Sequence, residues 1–211
     1  MRAVIFGNGE ILEYDFCREF LEDSFVVCCD GGLNHAKKLG IVPHYIVGDL
    51  DSVSEEVLNH YKDLGVPIEK FPEKKDETDL KLGVEFAVNH GADEVILLGA
   101  IGSRIDHTLA NMQLLYSLLK KGIRACIGNE KNKIWLIDKE ITLTGEKGDL
   151  VSLIPLSMEA EGVTTYDLAY ELKDYCLKID DSITAVSNVM LKNKAKVTIK
   201  KGYLFVMQCK D

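Results

Sequence analysis

The sequence predicts an α/β plus all-β chain: an N-terminal three-layer α/β domain with a mainly parallel sheet over residues 1–130, and a C-terminal antiparallel β-sandwich over residues 131–211. Three observations carry that expectation. Up to residue 130, short apolar runs alternate with segments of helical periodicity, the mark of strand–helix–strand units joined by right-handed crossovers. Beyond the polar stretch Gly128-Asn129-Glu130-Lys131-Asn132 the chain turns to short alternating runs separated by turn residues. Of the 211 residues 46% are hydrophobic and 28% charged, a balance that supplies a core and excludes a disordered chain.

In the first part the predicted strands are residues 3–6, 25–29, 45–47, 68–71, 95–98 and 124–127. Between them lie predicted helices over 14–21, 33–39, 55–64, 79–89 and 107–120. In the last, Leu109, Met112, Leu115 or Tyr116, and Leu119 recur at helical spacing and are expected to face the sheet. Gly40, Gly65, Gly91 and Gly122 each close a helical segment, and Ser52 with Glu55 three residues on predicts a capping box. In the second part strands are predicted over 133–137, 140–143, 150–155, 162–165, 169–172, 184–190, 195–200 and 203–209. Trp135, the lone tryptophan, is expected in the core.

The net charge of −9 is unevenly spread. Residues 1–130 hold 13 basic and 22 acidic side chains, the remainder 12 of each, which argues against nucleic-acid binding in the acidic part. Carboxylates so gathered either bind a metal or form a solvated surface. The longest apolar stretch, residues 95–102, is far short of the roughly 20 residues of a membrane span. With no cleavable signal pattern after Met1, the expectation is a cytoplasmic protein with no membrane partner. Cysteines 17, 28, 29, 126, 176 and 209 form no C-x-x-C pair and no zinc spacing, and are expected as buried free thiols.

The polar groups of the first part follow the strands. Asp30 follows the second, Asp49 and Asp51 the third, Asp76 and Asp79 the fourth, and Arg104 and Asp106 the fifth. In a parallel sheet these positions share the carboxyl edge, where open α/β folds bind ligands. Two carboxylates about 4 Å apart repel by roughly 4 kcal/mol at an effective dielectric near 20, so a proton, an arginine or a cation must offset them. Asp49 and Asp51 can converge on one hard cation if the loop turns between them, and Mg²⁺ with few carboxylates and phosphate oxygens suits a nucleotide site. Arg104 offers a planar fork of donors to phosphoryl oxygens. Each piece has a plainer alternative: Asp30, Asp51 or Asp79 as helix caps. Gly7-Asn8-Gly9 lacks the full dinucleotide spacing and reads as a turn, His107 stays outside the catalytic set, and no Walker A motif occurs.

Taken in order, Asp30-Gly31-Gly32, Gly48-Asp49-Leu50-Asp51-Ser52, Asp76-Glu77-Thr78-Asp79 and Gly102-Ser103-Arg104-Ile105-Asp106-His107 resemble the motifs of thiamin pyrophosphokinases. The resemblance extends to Asn111 and to Ser187-Asn188. It implies transfer of a pyrophosphoryl group from ATP to the thiamin hydroxyl, giving AMP and thiamin diphosphate. It also implies a homodimer whose thiamin site spans the subunit interface, with an ATP- and Mg²⁺-binding first domain and a second domain contributing thiamin and dimer contacts. By the same resemblance Asp49, Asp51 and Asp79 hold Mg²⁺ and the phosphates, Thr78 and Arg104 contact phosphate, and Asp106 is an active-site carboxylate. Asp30 and Asn34 line the nucleotide or substrate pocket, and Ser187 and Asn188 bind substrate. Where some members carry a tryptophan on the last strand, the comparable residue is Phe205, which either stacks on the thiamin cation or is a core phenylalanine. Three alternatives stay open: a pyrophosphokinase for another hydroxymethyl heterocycle such as a pterin, a Mg²⁺-dependent phosphohydrolase, and a non-catalytic nucleotide-sensing module.

Overall fold

Strand order decides where a ligand can sit in this chain. The computed structural model describes residues 1–70, 78–181 and 185–210, in two compact units, Met1–Glu130 and Lys131–Asp211. The strands of the first unit are β1 (Arg2–Phe6), β2 (Phe25–Cys29), β3 (Tyr45–Gly48), β4 (Ile68–Lys70), β5 (Glu94–Leu98) and β6 (Arg124–Gly128). They lie side by side as β6-β5-β1-β2-β3-β4, and each of the pairings along that order is parallel. The chain therefore winds outward from β1 to β4, crosses back, and continues from β5 to β6. The reversal falls between β1 and β5, which opens a crevice at their carboxyl ends.

The helices follow from that path. A short 3-10 turn over Asp15–Cys17 and α1 (Arg18–Leu21) replace the single helix predicted over 14–21. Next come α2 (Leu33–Leu39), α3 (Glu55–Asp63), α4 (Asp79–Asn89) and α5 (Ile105–Lys120). α2 packs on β1, β2 and α3, whereas α4 packs on β1, β2, β3 and α5. Right-handed crossovers running in opposite directions put the two pairs on opposite faces and make three layers. Gly40, Gly65, Gly91 and Gly122 take φ of 66°, 75°, 91° and 74° just past their helices, the left-handed stop a glycine allows without a Cβ penalty.

Two local expectations need correction. The capping box at Ser52 does not form, because the chain is still turning there, with Leu50 at φ 71°. Ser54 caps α3 instead, its Oγ accepting from Val57 N at 3.4 Å. On α5 it is Leu115 and Leu118 that are buried, while Leu109 and Tyr116 are 55% and 38% exposed. The sheet-facing stripe is thus turned from the predicted one and confined to the second half of the helix.

The second unit is two antiparallel sheets. Its strands are β7 (Asn132–Ile137), β8 (Glu140–Thr144), β9 (Leu150–Pro155), β10 (Glu159–Tyr166), β11 (Tyr175–Lys178), β12 (Asn188–Val189), β13 (Lys194–Thr198) and β14 (Leu204–Cys209). One sheet runs β12-β9-β14-β7 and the other β11-β10-β13-β8. Alternate residues, among them Leu143, Leu153, Val163, Val197, Leu204 and Val206, bury together as the core, with Trp135 packed partly buried against it. The strand predicted over 169–172 is absent, and β11 was not predicted. Thr165 and Leu172 instead close a loop, Thr165 N donating to Leu172 O at 3.0 Å and Leu172 N to Thr165 Oγ1 at 2.9 Å. Thr184 and Phe71, at the ends of two predicted strands, lie outside the described residues.

None of the six cysteines is in a disulfide, and four of them are buried. Burial pushes the Cys17 thiol up to about 12 and raises the Cys28 and Cys29 thiols well above the usual thiol range, so they remain protonated packing groups. No helix among the described residues is long and apolar enough to cross a membrane.

Leu97, fully buried on β5, tests the central packing. Leu97→Ala is expected to cost about 3 kcal/mol through lost burial and the cavity left behind, read as a lowered urea midpoint at unchanged m-value.

Candidate active site

A crevice of about 990 Å³ opens at the carboxyl ends of β1 and β5 in the first unit. Its walls include Asp30, Asn34, Asp51, Thr78, Asp79, Arg104 and Asn111, which were expected to converge there. Asp49 and Asp106 stand beside these walls rather than in them, and Asp76 lies outside the described residues.

Asp30 is built into the loop after β2 and is only 7% exposed. Its φ of 45° turns the chain out of the strand, and its Oδ1 accepts from Leu50 N at 2.9 Å. It is no helix cap: no side chain caps the 3-10 turn Asp30–Gly32 or α2. A Cβ at Gly48 would collide with the Asp30 carboxyl, and one at Gly31 with the Asn8 amide, so these glycines are what let three loops close together. Gly31 N also donates to Ser52 Oγ at 2.9 Å, tying the β2 loop to the β3 loop.

The β3 loop turns as a pair of metal-binding carboxylates would require. Leu50 sits at φ 71°, and Asp51 N donates to Asp49 Oδ1 at 3.1 Å. Neither Asp51 nor Asp79 caps a helix. Thr78 caps α4 through Oγ1, which accepts from Lys81 N at 3.3 Å, and Asp79 becomes the first residue of α4. There the positive end of the helix favours an anion. From that position the Asp79 carboxyl acts on Asp30: burial first, then Asp79 beside it, push Asp30 up to about 7. Two carboxyl groups in contact hold either a shared proton or a cation between them.

Among the described residues no three His, Cys, Asp or Glu side chains form a ready-made metal cage. The donors fit Mg²⁺ all the same. They are all carboxylate oxygens, and this ion takes one or two carboxylates and completes its shell with water and phosphate oxygens.

Arg104, on the loop after β5, is exposed and forked onto Asp106, Nε to Oδ1 at 3.2 Å and Nη2 to Oδ2 at 2.6 Å. The guanidinium holds the Asp106 carboxyl well below the usual range, at about 2. Asn111 fixes the same loop by donating from Nδ2 to Ala100 O at 2.8 Å.

Three predicted positions belong to the second unit. Asn188 is buried and holds Tyr170 on both sides, accepting from Tyr170 N at 2.9 Å and donating to Tyr170 O at 2.6 Å. Ser187, at φ 56°, donates its backbone N–H to Ser152 Oγ at 3.0 Å. Phe205 is 6% exposed and lies on β14 between Leu204 and Val206, its side chain on the other face of the strand from theirs.

Sequence reasoning missed several wall residues. Asn8 and Gly9, read as a plain turn, line the crevice, as do Tyr14, His35 and Lys38. Asn8 and Gly9 carried a signal in their place right after the first strand; Tyr14, His35 and Lys38 did not, because nothing in a helical segment marks which face will meet a crevice.

Comparison with known proteins adds to this geometry. The family model described as thiamin pyrophosphokinase, catalytic domain, matches residues 16–127, and that described as thiamin pyrophosphokinase, vitamin B1 binding domain, matches residues 137–204. Thiamine pyrophosphokinase of Bacillus subtilis is 26% identical over 99% of this chain and 98% of its own length. Thiamine pyrophosphokinase 1 of Oryza sativa subsp. japonica is 26% identical over 88% of this chain and 79% of its own length. The crystal structure of the Bacillus subtilis protein superposes with a TM-score of 0.89 at 24% identity, over 100% of this chain and 99% of that one. Thiamin pyrophosphokinase from Candida albicans superposes with a TM-score of 0.81 at 17% identity, over 99% and 89%. The two structures share the fold.

Arg104→Ala is expected to return Asp106 from about 2 toward the ordinary 3.8. The depressed value means the contact is whole above pH about 4 and is lost as pH falls toward 2. A carboxyl-carbon NMR titration of wild type and variant reads both values.

Proposed function

The chain belongs to the thiamin pyrophosphokinase family, and on that premise we propose how its own residues carry out the transfer of a pyrophosphoryl group from ATP to thiamin. The products are AMP and thiamin diphosphate. The observation that carries this reading is the crevice at the β1/β5 reversal, where Asp30, Asp51, Asp79 and Arg104 meet.

ATP lies in the crevice, with Asp51 and Asp79 holding the Mg²⁺ that accompanies it and Asp49 bracing the loop of Asp51. The cation supplies charge neutralisation for the phosphates when bound. Asp30 steadies Asp79, its own Oδ1 being held by Leu50 N. Thr78 keeps Asp79 at the start of α4, whose first-turn N–H groups face incoming negative charge. Arg104 exchanges the Asp106 carboxylate for phosphoryl oxygens of the nucleotide, and Asp106 holds the guanidinium in reach until then. The thiamin hydroxyl oxygen attacks the β-phosphorus, the bond from that phosphorus to the α–β bridging oxygen breaks, and AMP departs. The hydroxyl proton goes to a carboxylate of the acidic loops. Orientation and charge stabilisation supply most of the rate, as in other phosphoryl transfers.

For thiamin, Tyr170 is a better ring platform than Phe205. Its side chain is 73% exposed, and Asn188 fixes its backbone, so a cationic heterocycle meets an aromatic face already in position. The chain acts as a homodimer. Ile105 and Leu109, 65% and 55% exposed, sit one turn apart on α5 with Tyr116 close to the same line, an apolar stripe suited to a second copy.

The function is tested by product analysis of the purified protein with Mg²⁺-ATP, with and without thiamin. AMP and thiamin diphosphate in equal amounts, formed only with thiamin, are expected; ADP with thiamin monophosphate, or ATP loss without thiamin, overturns it. Asp51→Asn is expected to lower kcat by about 100-fold or more while the melting temperature stays near wild type, as measured by turnover and calorimetry. Tyr170→Ala is expected to raise the thiamin KM about tenfold with the ATP KM unchanged, and Tyr170→Trp to restore it; initial-rate kinetics in each substrate decide.

A further inference from the structure

His35, on α2, is 7% exposed and has both ring nitrogens engaged. Nε2 lies 2.8 Å from Gly9 O and Nδ1 lies 2.7 Å from Tyr14 Oη. A carbonyl oxygen can only accept, so Nε2 carries the proton. Burial lowers the His35 pKa and favours the neutral ring; the hydrogen bond to Gly9 O opposes it and the ammonium of Lys38 acts with it. Nδ1 is then an acceptor, and the Tyr14 hydroxyl donates to it.

Each partner reaches the crevice. Gly9 follows β1, its own N–H donates to Gly99 O at 2.7 Å, and a Cβ there would strike the carbonyls of Gly99 and Ile101. One buried imidazole therefore joins α2 to the β1 loop, which Gly9 N ties in turn to the β5 loop at the reversal point of the sheet. On its other side it holds Tyr14, and Lys38 Nζ stands over the Tyr14 ring, 5.6 Å from the centroid. Lys38 and Arg104 are the Lys and Arg side chains among the described residues of the crevice wall, in a wall otherwise rich in carboxylates.

We propose that His35 is a positioning residue for ATP: through Nε2 it sets the Gly9 peptide on the crevice floor, and through Nδ1 it orients Tyr14 and with it the cationic Lys38 end of the site. This rests on the activity given above, and it assigns the β1 end of the crevice to the nucleotide rather than to thiamin. His35 touches no reacting atom. Its removal leaves the Tyr14 hydroxyl and the Gly9 carbonyl without their partner and lets the loop relax, which weakens nucleotide binding and leaves thiamin binding alone.

The test compares the full-length wild type with His35→Ala, His35→Gln and Tyr14→Phe. Wild-type turnover of thiamin with Mg²⁺-ATP checks the activity by itself, and the variant-to-wild-type ratios check His35. His35→Ala is expected to raise the ATP KM and the directly titrated ATP Kd about tenfold or more, with the thiamin KM within about twofold. Tyr14→Phe, at the solvent side of the chain of hydrogen bonds, is expected to shift the ATP KM in the same direction by less, and His35→Gln to recover part of the loss. In the wild type, imidazole nitrogen-15 spectra are expected to show protonated Nε2 and unprotonated Nδ1, with both resonances moving when Mg²⁺-ATP is added. A protonated Nδ1, unmoved resonances, a fall in melting temperature with unchanged ATP KM, or equal rises in both KM values overturns the proposal. Should His35→Ala fail to fold, Tyr14→Phe and the wild-type spectra decide.

Discussion

Asp30, in the loop after β2, and Asp79, the first residue of α4, meet at the edge of the parallel sheet, where burial and then Asp79 push the Asp30 carboxyl up to about 7. Such a meeting is unfavourable between two anions, so the fold must force it and something must neutralise it. The forcing is visible in the backbone. Asp30 is held at φ 45° with its Oδ1 on Leu50 N, Gly48 leaves it room, and Thr78 holds Asp79 at the first position of α4. On the proposed reading, a divalent cation held here would make the acidic crevice complementary to the phosphates of ATP.

The closeness of the loops depends on missing side chains. Gly9, Gly31 and Gly48 occupy points where a Cβ would meet a carbonyl, the Asn8 amide or the Asp30 carboxyl. These are contacts across loops far apart in sequence, and their common purpose is to bring backbone amides and carboxylates to one small volume. Arg104 contrasts with them. It is exposed and paired with an exposed carboxylate, a contact of small net value that a phosphate can displace. The crevice thus combines a buried carboxyl fixed by the fold with an exposed cationic arm.

The second unit shows a different use of a polar residue. Asn188 is buried, yet its side-chain amide is spent on the backbone of Tyr170. A buried amide must find partners, and here its partners are the N–H and C=O of a loop residue whose own side chain is left exposed. On the proposed reading, the asparagine that resembles a substrate-binding residue would act on thiamin through the aromatic whose backbone it holds.

Much of this was legible in the residue order. Strand–helix alternation, the change of pattern near residue 128, the four acidic loops and the order of their motifs all follow from local periodicity and from the rule that strand-end loops of a parallel sheet share one edge. Helix stops at Gly40, Gly65, Gly91 and Gly122 were equally local. What local pattern could not carry was the partner of each side chain. Ser52 looks like a cap and instead binds Gly31 of another loop; Leu109 fits a buried stripe and is exposed; residues 169–172 alternate like a strand and form a loop held by Asn188 and Thr165. His35 has no motif at all, since its neighbours Gly9 and Tyr14 come from other turns of the chain. Periodicity reports how a segment relates to its own axis, so the sequence determined the elements, their order and the edge that bears the chemistry. Which groups face one another across that edge is set by the packing of distant segments, and only the tertiary structure decided it.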